Sequence, residues 1–147
     1  MCDDLFSFLL FSSPAGDHGS TFSGGPLICA AAEVVVAELS SPKVLSNVRA
    51  RSEQLMNGLK KIESELTNSG SKIRITDVRG LGLLVGCELN VPVKEVVAAA
   101  NDSGLMLINA GENVIRLCPP LIVEEQHIDF ALNGIRNAIL AGEKKSA

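Results

Sequence analysis

The 147-residue chain has no tryptophan, no tyrosine, five phenylalanines and two histidines. Without Trp and Tyr it lacks the best stacking platforms for single-stranded nucleic acid. It is also short of positive charge: 13 Lys and Arg against 17 Asp and Glu leave a net charge of −4, and the densest basic cluster is the Lys144-Lys145 pair. Neutralising phosphates needs clustered Lys and Arg, so no nucleic-acid partner is expected. Nor is a membrane, because the apolar run Leu5 to Phe11 is far shorter than the roughly 20 residues that span a bilayer.

The four cysteines, Cys2, Cys29, Cys87 and Cys118, match neither a zinc knuckle nor a compact disulfide framework. Cys29, Cys87 and Cys118 stand in apolar runs and read as small core hydrophobes in a reducing compartment. Neither His18 nor His127 has a partner at metal-ligand spacing. His127, among Glu124, Glu125 and Asp129, reads as a surface residue. No serine has a matched histidine, and the acid pairs Glu63/Glu65 and Glu124/Glu125 suit solvated helix positions, so spacing alone yields no reaction.

A chain of this length forms one domain that buries roughly 68–70% of its unfolded surface, enough for a core without disulfides. Residues 1–15 stand apart as an apolar stub holding three of the five phenylalanines. Its two early aspartates fit neither a secretory signal nor an Arg-rich transit peptide.

Pro26 suits the first turn of a helix that runs from Leu27 to about Leu39, rich in Ala and Val and expected to be buried on most sides. After the break at Ser40-Ser41-Pro42, Leu45, Val48, Leu55, Leu59, Ile62 and Leu66 form the stripe of an amphipathic helix. Arg49, Arg51, Glu53, Lys60 and Lys61 take its wet face, and Asn68 to Ser71 end it.

The second half changes period. Ile73 to Val78 and Leu83 to Leu89 read as strands joined through Arg79-Gly80-Leu81-Gly82, and Val93 to Ala100 as a helix. Leu105 to Ile108 and Val114 to Cys118 read as short strands around a turn, closed by Pro119-Pro120. A last helix from about Glu124 carries Ile128, Ala131, Leu132, Ile135, Ala138 and Ile139 on one face, with a fraying tail over residues 142–147. The expected class is α+β, a helix-covered sheet of three or four strands.

Two places point toward ligands. The loop Gly16 to Gly25, with Ser20 and Thr21 ahead of a helix N-terminus, can cradle a phosphate or simply cap the helix. Arg116 is the lone polar residue in Val114 to Pro120. A guanidinium there can fork onto a carboxylate, pair with Glu88 or Asp77, or face solvent. Gly80, Gly82 and Gly86 lie between strands and so mark a tight turn and close backbone packing, not a dinucleotide fingerprint.

At Gly16-Asp17-His18-Gly19-Ser20-Thr21-Phe22 with Gly24-Gly25-Pro26-Leu27, at Val78 to Leu83, at Asn109-Ala110-Gly111 and at Val114 to Leu121, the chain resembles the class III pyridoxal-phosphate-dependent aminotransferases, most closely the acetylornithine-type branch. The resemblance runs from about Gly16 to Ala141 and implies the C-terminal part of a longer homodimeric enzyme of arginine biosynthesis. Residues 16–38 would end the large domain and begin a long connecting helix, and residues 39–141 would form the small C-terminal domain of a fold-type I aminotransferase. Ser20 and Thr21 would bind the pyridoxal phosphate of the neighbouring subunit, and Arg116 the substrate's α-carboxylate. Substrates would be N-acetylornithine and 2-oxoglutarate, an amino acid and a 2-oxo acid, in a plastid or mitochondrion in a eukaryote and in the cytoplasm in a bacterium.

The chain departs from the family pattern at Ser23, Gly25 and Asn109. More severely, it holds no counterpart of the lysine that carries the cofactor, of the acid facing the pyridine nitrogen or of the ring-stacking aromatic. The stretch is therefore expected to be inactive alone, and its sheet and its first helix to leave apolar surface exposed where a large domain would cover them. Two other readings stay open: a non-catalytic interaction domain that associates with intact aminotransferase subunits, and a small amino-acid-binding regulatory module.

Overall fold

The computed structural model describes residues 21 and 24–145. The chain divides into two compact units, Met1–Leu39 and Ser40–Ala147. In the first, the described part is essentially one helix, α1 (Pro26–Leu39), none of whose residues is buried. Leu27, Val34 and Val36 are 84%, 70% and 61% exposed, so the expectation of a helix buried on most sides is corrected. The cause lies in its composition. Apolar residues cover most of the helix, with only Glu33 and Glu38 charged, so it needs partners on several sides, and the exposed apolar surface expected from the resemblance is present here.

Near the start of the second unit the Ser41 hydroxyl accepts the Val44 N–H at 3.3 Å and caps α2 (Pro42–Ser69). Gly70, at φ 72°, ends the helix in the left-handed conformation that a glycine adopts without Cβ strain. Leu55, Leu59, Ile62 and Leu66 are buried as their spacing requires. Val44, not Leu45, takes the first inward place, and Arg51 is half-buried against Glu125, with Nη1 3.2 Å from Oε2. Arg51 therefore belongs to the seam between helices and not to the wet face.

The hairpin β1 (Ile75–Leu81) and β2 (Leu84–Leu89) turns at Gly82-Leu83, so Arg79 and Gly80 lie within β1 and not in the connection. A Cβ on Gly80 would stand 2.3 Å from the Leu84 carbonyl oxygen, a close backbone approach that only glycine permits. The chain then forms α3 (Lys94–Asp102), β3 (Ile108–Asn109), β4 (Val114–Leu117) and α4 (Glu125–Lys145). Leu105 to Leu107 lie outside any strand, because the Leu107 N–H is taken by the Asn101 side chain at 2.9 Å and not by a neighbouring strand.

The sheet is antiparallel throughout, in the order β1-β2-β4-β3. One face carries Val85, Cys87, Leu89, Ile115 and Leu117 into a core shared with α2, α3 and α4. The fold is thus an α+β arrangement, a four-stranded antiparallel sheet packed against helices, as expected.

Helix α4 continues through Gly142 and Glu143, where a fraying tail is expected. Glu143 is held there: its carboxylate accepts the Lys72 N–H at 2.7 Å and the Ser71 hydroxyl at 2.9 Å. Among the described cysteines, only Cys87 belongs to the core. Cys29 and Cys118 are exposed, Cys29 because α1 buries nothing and Cys118 because β4 ends one residue before it; Cys2 lies outside the described residues. No helix among the described residues is long and apolar enough to cross a membrane.

Candidate functional site

Strand β4 places the most informative charge by simple alternation. Ile115 and Leu117 point into the core, so Arg116 must project from the opposite face. Cross-strand register puts Arg79, Gly86, Arg116 and Ile108 in one row on that face, with Asp77, Glu88 and Val114 in the next. Gly86 keeps the space between the two arginines low: a Cβ there would meet Val114 Cγ1 at 3.3 Å and Arg79 Cγ at 3.9 Å.

The two arginines differ in their commitments. Arg79 Nη1 donates to Asp77 Oδ2 at 2.6 Å and Glu88 Oε2 at 2.5 Å, and these hydrogen bonds raise its pKa, the one to Asp77 contributing most. Arg116 is exposed and, among the described residues, has no ion pair. Pairing of Arg116 with Glu88 or Asp77 is thus overturned. Both carboxylates are taken by Arg79, which shares Asp77's strand two residues on and lies diagonal to Glu88. What remains is an uncommitted guanidinium on a rigid strand, suited to a carboxylate in bidentate geometry.

Beside it lies a cavity of about 410 Å³, largely apolar, whose lining includes Met106, Ile108, Arg116, Cys118, His127 and Phe130. A second groove, between α2 and α4, has most of its charge already paired: Arg136 Nε with Glu65 at 2.9 Å, and Asp129 with the Gln54 amide at 2.7 Å. His127 is exposed and its Nδ1 accepts the Glu124 N–H at 3.3 Å, so it serves the start of α4. Cys87 is the opposite of a reactive thiol, pushed up to about 12, chiefly by burial.

Of the phosphate loop, Thr21 is exposed at a bend ahead of α1, while Ser20 and His18 lie outside the described residues. Thr21 belongs to the first unit and Arg116 to the second. The Asp77–Arg79–Glu88 cluster escapes a reading that assigns Arg79 to a turn. Its signal is present, since two charges separated by one residue on a strand share a face.

The aminotransferase class-III family model matches residues 10–139 of this chain, and the chain belongs to that family. Curated relatives include a probable mitochondrial acetylornithine aminotransferase of Dictyostelium discoideum, 39% identical over 85% of this chain and 27% of its own length. An acetylornithine aminotransferase of Thermosynechococcus vestitus is 44% identical over 84% and 30%. The crystal structure of N-acetylornithine aminotransferase from Stenotrophomonas maltophilia K279a superposes with a TM-score of 0.68 at 30% identity, over 80% of this chain and 32% of that one. The chain thus spans about a third or less of the relatives it matches.

Membership of this family implies pyridoxal phosphate, and the described residues fit only part of it. Thr21 offers an exposed hydroxyl for phosphate, whereas among the described residues no charged side chain is buried and Lys43, Lys60, Lys61, Lys72 and Lys94 are all exposed. None of these five lysines sits in the desolvated pocket that lowers an amine's pKa for covalent work.

Proposed function

We propose that this chain is the substrate-carboxylate and phosphate-contacting portion of an acetylornithine-type aminotransferase, acting between N-acetylornithine and 2-oxoglutarate in arginine biosynthesis. Residues 16–38 end the large domain and begin its connecting helix, and residues 39–141 are the small domain. The observation that carries this reading is Arg116, exposed and unpaired on β4 in a chain of this family. Pyridoxal phosphate, when bound, supplies the electron sink for amino transfer. Arg116 grips the α-carboxylate and orients the substrate, the cavity wall beside it excludes water from the side chain, and Ser20 and Thr21 contact phosphate in the neighbouring subunit's site.

Amino transfer also needs a lysine to hold the cofactor and move a proton, and Lys43, Lys60, Lys61, Lys72 and Lys94 are all exposed. The 147 residues by themselves are therefore inactive. Mixing the chain with pyridoxal phosphate, N-acetylornithine and 2-oxoglutarate, with and without a large-domain fragment, tests this: turnover requires the fragment, and turnover by the chain alone overturns the reading. The enzyme works in the mitochondrion or plastid of a eukaryote or the cytoplasm of a bacterium, as cell fractionation would report. The exposed α1, apolar apart from Glu33 and Glu38, favours a second reading, a non-catalytic domain that joins intact aminotransferase subunits. Co-purification with such a subunit separates it from the first.

A further inference from the structure

Arg116 faces a competitor on its own sheet. Glu88 is paired directly with Val114, the residue two before Arg116 on the same face. It therefore lies diagonal to Arg116, at the roughly 7–8 Å separation that long side chains bridge. Glu88 is also directly opposite Asp77, a like-charge pair that is unfavourable unless a cation lies between them. Arg79 is that cation, bonded to both, with its stem alongside bare Gly86.

Resting on the reading of Arg116 above, we propose that Arg79 is a positioning residue that holds Glu88 away from Arg116 and so keeps Arg116 available for a ligand carboxylate. Remove the Arg79 guanidinium, and Asp77 repels Glu88 while Arg116 is the cation it can reach. The ligand must then displace a carboxylate of the protein. Arg79 contacts no ligand in this scheme; it acts through Glu88 alone.

The experiment is an NMR titration of the full chain with 2-oxoglutarate, comparing Arg116→Ala, Arg79→Ala, Arg79→Gln and the double variant Arg79→Ala/Glu88→Gln. Backbone shifts away from the hairpin report the fold of each. Exposed pairs of this kind are weak, so Arg79→Ala and Arg79→Gln are expected to weaken binding about two- to sixfold. The double variant, with no carboxylate left to capture Arg116, returns to within about 1.5-fold of the unaltered chain. Rescue by a second removal is something a merely structural role for Arg79 does not produce. Unchanged binding in both Arg79 variants, or a double variant as weak as the single, overturns the inference while leaving Arg116 as the carboxylate site. Binding that survives Arg116→Ala, or an unaltered chain that shows no saturable shift, overturns the reading of Arg116 and this inference with it.

Discussion

Replacing Gly80 with alanine tests whether the hairpin that carries Arg79 and Gly86 depends on backbone contact at one point. A Cβ at that position would stand 2.3 Å from the Leu84 carbonyl oxygen and 2.8 Å from Val85 Cα. Real Cβ contacts stay beyond about 3.0 Å, so the strands must part by about 0.7 Å, and the atoms in the way are backbone that no rotamer can move. Overpacking of this kind costs about 1–3 kcal/mol. Loss of a ladder hydrogen bond adds about 1 kcal/mol, for a total of about 2–4 kcal/mol. In urea, with a slope of roughly 2 kcal/mol/M, the midpoint of unfolding falls by about 1–2 M. Gly70→Ala is the control: φ is 72° but nothing lies within 4 Å, so only left-handed strain of about 1 kcal/mol opposes it. A Gly80→Ala midpoint no lower than that of Gly70→Ala would refute the argument from close approach.

Stability is expected to fall as pH rises from about 9 toward 12, because the unfolded Cys87 thiol ionises there while burial keeps the folded one protonated. At about 1.4 kcal/mol per unit the loss reaches about 4 kcal/mol, and Cys87→Ala should flatten that limb in chemical unfolding at stepped pH. A thiol reagent added to the native chain should modify exposed Cys29 and Cys118 and reach Cys87 only after unfolding, as mass spectrometry would show. Glu143 behaves oppositely: hydrogen bonds from the Lys72 N–H and the Ser71 hydroxyl lower its pKa, so its contribution is present above the ordinary 4.5 and is lost as pH falls through the lowered folded-state value. Glu143→Gln should therefore melt earlier at neutral pH, with the difference vanishing in acid. Leu59→Ala, at a fully buried position of α2, should cost about 2–5 kcal/mol, whereas Leu81→Ala, 90% exposed, should stay within about 0.5 kcal/mol in the same unfolding assay.

Periodicity alone marks out α2, α4 and β2 because each is amphipathic: the inward positions Leu55, Leu59, Ile62 and Leu66, or Val85, Cys87 and Leu89, repeat at the period of the element itself. Caps are equally local. Ser41 before Pro42 and Gly70 after Ser69 mark both ends of α2, since they act on backbone groups within four residues. The phosphate-loop residues and Arg116 stand out by a different route, as polar groups in settings that demand a partner. Burial of an apolar helix is not local. Ala- and Val-rich α1 reads as core, yet whether it is buried depends on what packs against it.

The sequence by itself thus determined most of the elements, the inward faces of α2, β2 and α4, and the family, because propensity, patterning and motif are properties of neighbouring residues. Only the tertiary structure decided which arginine is free. Arg79, Asp77 and Glu88 come from two strands whose pairing depends on register, and that register commits Arg79 to both carboxylates while leaving Arg116 uncommitted across Gly86. A charge's partner is chosen by distance in space, and in this sheet a shift of one residue would have moved Glu88 to the other face.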